Sequence, residues 1–141
     1  MLARWLSFLV VAALAAPLAA HGADKPKKPR LDLRATPRMG FSPVHVLFTA
    51  ELMGGDDVEE FHCPEIEWEW DDGGKTVREA DCQPFEAGTS IQRRFTAEHT
   101  FRRANVYRVK ATMRRNNKTL ASATVNVTVR AGLGDPTMSN Q

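Results

Sequence analysis

Glu65-Ile66-Glu67-Trp68-Glu69-Trp70 runs directly into Asp71-Asp72-Gly73-Gly74 and then into Lys75-Thr76-Val77-Arg78-Glu79. An acid alternates with a large apolar residue, four turn-forming residues follow, and an extended segment resumes. Strict alternation is the period of a strand with one face buried and one face wet. Asp-Gly is the favoured centre of a two-residue type I′ hairpin. With Asp72-Gly73 as that turn, Trp68 is expected opposite Val77, Glu67 opposite Arg78, and Cys63 opposite Cys82. One register thus delivers an aromatic–β-branched pair, an opposite-charge pair and a cysteine pair. The cysteines fall on a hydrogen-bonded site, whose Cα atoms lie about 5.5 Å apart. That separation is within disulfide range, though such sites are less comfortable, and a bulge near Pro64 would relieve it.

The same alternation recurs outward from this hairpin. Val44, Val46, Phe48 and Ala50 share one face of PVHVLFTA, with His45 and Thr49 on the other. Ile91 and Phe95 frame SIQRRF. Tyr107, Val109, Ala111 and Met113 alternate with Arg108, Lys110, Thr112 and Arg114. Ala121, Ala123, Val125, Val127 and Val129 alternate with Ser122, Thr124, Asn126 and Thr128. A weaker strand, LDLRA, precedes them all. About seven short strands and no helical periodicity predict an all-β fold, a β-sandwich.

The 141 residues fit one domain flanked by simpler segments. Residues 1–20 read as a signal peptide: Arg4 leads an apolar run from Trp5 to Ala16 broken only by Ser7, and small residues cluster at Ala19, Ala20, Gly22 and Ala23. The run is too short for roughly 30 Å of hydrocarbon, and Pro17 interrupts it. Residues 21–30 read as a flexible basic arm, 31–130 as the sandwich, and 131–141 as a flexible tail. A secreted or periplasmic location is expected. Two cysteines in an exported chain favour a Cys63–Cys82 disulfide over a metal site. The formal net charge of +2 attracts neither nucleic acid nor membrane strongly. It is unevenly spread: Glu51 to Asp72 holds ten acids and no Lys or Arg, whereas Arg93 to Lys118 holds nine bases and one acid, Glu98.

Three pieces, in order, resemble the PKD domain, the immunoglobulin-like module named after the polycystic kidney disease protein. TPRMGFSPVHVLFTA is similar to its opening strand pair through Pro37, Gly40, Pro43, Val44, Val46, Phe48, Thr49 and Ala50. EWEWDDGG resembles its central W-D-F-G-D-G through Trp70, Asp71 and Gly73, with Asp72 where an aromatic is usual. AEHTFRRANVYRVKATM resembles its closing element through His99, Phe101, Tyr107 and Val109, without the usual Gly before the Tyr. The resemblance covers about residues 31–130. It implies a binding or adhesion module contacting protein or polysaccharide, without catalysis of its own. A structural or accessory subunit of an envelope complex or secreted enzyme is the alternative.

The individual residues agree with a non-catalytic reading. Trp68 and Trp70 share a face with Ile66, which places them in the core rather than on a sugar platform. Tyr107 and His99 read as braces of a loop corner. No nucleophile motif is present, and no cofactor or metal is implied. His62 and Cys63 are neighbours on a chain whose side chains alternate, which argues against shared zinc. The acidic run GGDDVEE has the composition of a Ca²⁺ loop without its ligand spacing, and reads as a solvated loop. In an immunoglobulin-like sandwich EIEWEW and YRVKATMR are neighbours. Glu65, Glu67 and Glu69 would then face Arg108, Lys110 and Arg114 as a ladder of charges. Arg93, Arg94, Arg102, Arg103 and Arg115 lie outside that ladder and are the candidates for contact with a polyanion. A monomer is expected. Asn117-Lys118-Thr119 and Asn126-Val127-Thr128 are glycosylation sequons for a eukaryotic route only. Intact mass of the protein recovered from its host should show the loss of about twenty N-terminal residues; Met1 retained in the envelope fraction would contradict export with processing.

Overall fold

The computed structural model describes residues 28–135. The signal peptide, most of the basic arm and the last six residues lie outside the described residues. Eight strands and one short 3-10 turn (Glu59–Phe61) follow one another: β1 Arg30–Thr36, β2 Met39–Phe41, β3 Val44–Met53, β4 Glu65–Glu69, β5 Lys75–Arg78, β6 Arg94–Phe101, β7 Asn105–Arg115 and β8 Lys118–Arg130. They form two sheets, β1-β3-β6 and β2-β8-β7-β4-β5. β4 and β7 are neighbours, as an immunoglobulin-like sandwich requires.

Alternation decides which residues fill the space between the sheets. Leu31, Leu33 and Ala35 of β1, and Val46, Phe48, Ala50 and Leu52 of β3, face Ile66 and Trp68 of β4, Trp70 just after it, Val109, Ala111 and Met113 of β7, and Val125, Val127 and Val129 of β8. Trp68 and Phe48 have no exposed surface. Trp68, Trp70 and His99 lie parallel, at 5.7 and 4.4 Å; His99 then meets Phe101 edge-on at 4.8 Å, and Phe101 stacks on Tyr107 at 4.3 Å. Truncating a buried aromatic costs about 3–5 kcal/mol, a large share of the roughly 5–15 kcal/mol that holds a domain folded.

The hairpin register differs from the expected one by one residue. Glu67 pairs with Val77 and Trp68 with Thr76. Trp70 N–H donates to the Gly74 carbonyl at 3.1 Å, which makes a three-residue turn of Asp71-Asp72-Gly73. Asp71 and Gly73 both take positive φ, 64° and 87°. The cause is tertiary. Asp71 and Asp72 are both bonded to other strands, Asp71 Oδ2 accepting from Arg108 N–H and Asp72 Oδ2 meeting His99 Nε2, and a two-residue turn centred on Asp72-Gly73 would change both positions.

Cys63 and Cys82 are bonded, with Cα atoms 6.0 Å apart. The ladder does not bring them together, since β4 starts only at Glu65 and β5 ends at Arg78. Instead Cys63 takes a positive φ of 52°, which turns the chain before β4, and the bridge anchors the long loop after β5.

Two further expectations are corrected. The strand expected at SIQRRF begins only at Arg94 and continues to Phe101, because its partner β3 supplies pairs from Glu51 to Val44 and then leaves the sheet at Gly54; Ile91 is buried from a loop. The flexible tail does not begin at 131. Asp135 is buried and accepts hydrogen bonds from Ser42 Oγ and, at 2.8 Å, from Ala104 N–H. Gly132 N–H donates to Ser42 Oγ at 3.0 Å. A Cβ at Gly132 would sit 2.0 Å from the Ser42 carbonyl oxygen, so only glycine permits this approach.

The disulfide closes a loop across a sequence separation of 19. Its reduction is expected to remove roughly 3 kcal/mol in the chain-entropy account. Denaturation of oxidised and reduced protein measures this, and thiol titration should find no free thiol in the native oxidised protein.

Candidate functional site

β7 pairs with β4 and places acids beside bases on the outer face of the five-stranded sheet. Lys110 Nζ lies 3.5 Å from Glu69 Oε2, and Arg114 Nη1 lies 3.3 Å from Glu67 Oε2. Glu67 does not meet Arg78, the partner expected from the two-residue turn. The shifted register brings Lys75 instead, 2.9 Å from Glu67 Oε1. With a cation on each oxygen, Glu67 is only 7 % exposed although it stands on the outer face. Its hydrogen bond from Lys75 holds its carboxyl below the ordinary carboxylate value, against the opposing effect of burial, with Arg114 adding to the lowering. Arg108, expected in the same ladder, forms no ion pair among the described residues; only its backbone N–H is engaged, by Asp71.

Trp68 and Trp70 lie in the core, and Trp70 Nε1–H donates to Thr76 Oγ1 at 3.0 Å. Tyr107 O–H donates to the Arg103 carbonyl at 2.8 Å, which ties the β6–β7 turn to β7. Burial, with the charge of Asp72 nearby, pushes the Tyr107 phenol above its usual value. His99 stacks on Trp70 and its Nε2 lies 2.6 Å from Asp72 Oδ2. Burial pushes the Asp72 carboxyl up, but the hydrogen bonds from His99 and Gly74 N–H outweigh it and hold it below its ordinary value. Each of these polar groups is thus engaged within the protein. Among the described residues, no three His, Cys, Asp or Glu side chains are grouped to hold a metal, and no helix is long and apolar enough to cross a membrane.

The five arginines outside the ladder divide into two groups. Arg93 donates to the Gly54 and Gly55 carbonyls and to Asp57 Oδ1, at 2.9, 3.1 and 2.8 Å, and so fastens the acidic loop. Arg94 lies 3.5 Å from Glu51 and Arg115 3.5 Å from Glu59. Arg102 and Arg103 form no ion pair among the described residues and project from the exposed β6–β7 turn.

Beside that turn is a surface the sequence did not reveal. β2 pairs in parallel with β8, Met39 with Thr128 and Phe41 with Arg130, and Thr128 also pairs with Val106 of β7. Met39, Thr128 and Val106 therefore form one row across three strands on the outer face, with Phe41 one step further along. Met39, Phe41 and Val106 are 55 %, 65 % and 56 % exposed. Arg130 pairs with Phe41, Arg108 stands two residues along β7 from Val106 on the same face, and Arg102 and Arg103 lie in the turn that leads into β7. The Ser42–Asp135–Ala104 bonds pin this end of the sandwich from beneath. A three-residue parallel pairing has no hairpin signal, which is why the sequence alone did not disclose the patch.

No family profile and no curated protein matches the chain. Solved structures do match in fold. A PKD domain of an M14-like peptidase from a Thermoplasmatales archaeon is 18 % identical over 76 % of this chain and 98 % of its own, with a TM-score of 0.48. A CARDB domain from Pyrococcus furiosus, solved in complex with di-metal ions, is 9 % identical over 74 % of this chain and 94 % of its own, with a TM-score of 0.50. The chain has an immunoglobulin-like β-sandwich fold.

Glu67→Gln tests the ladder. Losing a charge held by two cations is expected to cost about 1–2 kcal/mol at pH 7, with Lys75 half exposed and therefore screened. Because the folded-state pKa is lowered from 4.5, the stabilisation is complete above that value and is lost as pH falls through the folded pKa. The gap between wild type and variant should therefore narrow below pH 4.5, as read from denaturation midpoints across pH.

Proposed function

We propose that the chain is an exported, non-catalytic binding module that docks on a protein through the apolar and arginine-rich end of its five-stranded sheet. The reading rests above all on the Met39–Phe41–Val106 patch and the arginines around it. Exposed apolar groups clustered on a monomer's surface mark a contact site. Aromatic residues, Met and Arg are the types enriched in protein–protein interfaces, and Lys is depleted there. The patch matches that composition and carries no Lys. It is also preorganised, since the Ser42–Asp135 clamp and the Tyr107–Arg103 bond order the turns that present it. Ordering before binding lowers the entropy lost on association.

Export fits the leader-like N-terminus, and the Cys63–Cys82 bridge suits an oxidising compartment. An accessory role follows from the same surface: a small module without a reaction site acts by placing itself on a larger partner. The polyanion contact proposed for Arg93, Arg94 and Arg115 is weakened by their internal partners and narrows to Arg102 and Arg103.

A photo-reactive amino acid at Phe41 should give a discrete cross-linked adduct in the native host. The same residue at Leu47, 41 % exposed on the other sheet, should give none. Charge reversal at Arg102 and Arg103 should abolish the adduct while leaving the melting temperature within about 2–4 °C, since exposed substitutions rarely exceed roughly 0.5 kcal/mol. Equal adducts at positions 41 and 47, or persistence after charge reversal, would contradict the docking surface.

A further inference from the structure

β8 is the longest strand of the domain, and β2 covers only its last three residues. On its other side it pairs with β7. β1 stays in the other sheet and forms no ladder with it. The outer edge of β8 from Thr119 to Val127 is therefore unpaired. The direction of the backbone groups alternates along it. Thr128 N–H donates outward to the Arg38 carbonyl at 2.9 Å, and the Arg130 carbonyl accepts from Ser42 N–H at 2.8 Å. Arg108 N–H, opposite Asn126, points away from β8 to Asp71. By the two-residue period, the N–H and C=O groups of Ser122, Thr124 and Asn126 also point away from β7. Among the described residues nothing bonds them, and all three residues are exposed.

An unpaired edge is a template for another strand, and proteins blunt it with charge, Pro or short length. The other edges here are blunted so. β1 carries Arg30, Asp32 and Arg34, β6 carries Arg94 and Glu98, and β5 is four residues long with Lys75 and Arg78. From Thr119 to Val129, β8 has no charged residue, no His and no Pro. Two features select what an added strand would carry. On the outer face, Arg38, Arg108, Thr124 and Asn126 line one hollow at this edge. Neither arginine forms an ion pair among the described residues. The acids nearest Arg108 are engaged, Glu69 by Lys110 and Asp71 by the Arg108 N–H. Guanidinium groups suit carboxylates. On the inner face, Ala121 and Ala123 are only half-buried at the margin of the core, and apolar side chains of an added strand would cover them. A second copy of the chain fits less well, because it brings its own Arg38 and Arg108 to the shared edge. We infer that an extended segment of a partner protein, alternating acidic and apolar residues, adds as a strand to β8 beside Ser122, Thr124 and Asn126. Main-chain hydrogen bonds hold it, and Arg38 and Arg108 select its acids. This inference rests on the reading of the chain as a protein-docking module and names the chemistry of the partner. The cross-link at position 41 reports the end of the sheet and the peptide titration below reports its edge, so each can fail without the other.

Nitrogen-15 NMR of the exported form, titrated with a short end-blocked peptide of alternating Val and Glu, reads the edge directly. The amides of Ser122, Thr124 and Asn126 should shift saturably and gain protection from exchange, while those of β5 stay nearly unmoved. The same peptide N-methylated along its pairing edge should give no response. Lys in place of Glu, or Arg108→Ala in the protein, should weaken binding about tenfold or more, the loss of a charge-assisted contact. Thr124→Pro removes one outward N–H and spares the β7 ladder, as edge strands tolerate, and should abolish the response. The rest of the spectrum checks its folding, and the N-methylated peptide needs only the wild-type chain. Edge amides that stay fixed up to millimolar peptide would overturn the site, and a full response to the N-methylated peptide would overturn strand addition. Equal binding of the Lys peptide, or undiminished binding by Arg108→Ala, would overturn the acidic partner. Protection of the same amides without peptide, growing with protein concentration, would assign the edge to a second copy and overturn the proposal.

Discussion

His99 holds the two sheets of this domain in one arrangement. It rises from β6 in the three-stranded sheet, stacks at 4.4 Å on Trp70 at the end of β4, and meets Asp72 in the turn that follows. One imidazole thus joins the sheets by an aromatic contact and fixes a hairpin by a polar one. Aromatic stacking contributes beyond area burial, and a hydrogen bond to a carboxylate is among the stronger kinds. The consequences spread from there. With Asp72 held by His99 and Asp71 by Arg108 N–H, the turn must contain three residues. That turn sets the β4–β5 register, which brings Lys75 rather than Arg78 to Glu67. Arg78 is left without an ion pair among the described residues.

The surface follows a similar economy. Most charges on the long strands neutralise one another across β4 and β7 or fasten loops, as Arg93 does to the acidic segment at Asp57. A basic run in sequence is therefore not a basic face in space. What remains for contact is smaller and more specific: a row of exposed apolar residues with arginines beside it at one edge of the five-stranded sheet.

The sequence by itself determined the layers. Alternation in the long strands assigned Val46, Phe48, Trp68, Val109 and Val127 to one buried face, because a strand's side chains must point to opposite sides. It also determined that β4 and β7 would set glutamates beside basic residues, since those strands are adjacent in any sandwich of this kind. The pairing of the two cysteines was legible from their even number in a chain read as exported.

Tertiary structure decided the rest, wherever a local preference competed with a distant partner. Asp72-Gly73 favours a two-residue turn in isolation, but His99 is 27 residues away and outweighs it. The β6 boundary was set by where β3 leaves the sheet, not by the apolar Ile91. Asp135 sits in a stretch with the composition of a frayed end, and it is buried because Ser42, 93 residues earlier, and Ala104 donate to it. The Met39–Phe41 edge joins β8 in a parallel pairing for which no hairpin can give notice. These contacts all join residues far apart in the chain, and periodicity reports only on a residue's near neighbours.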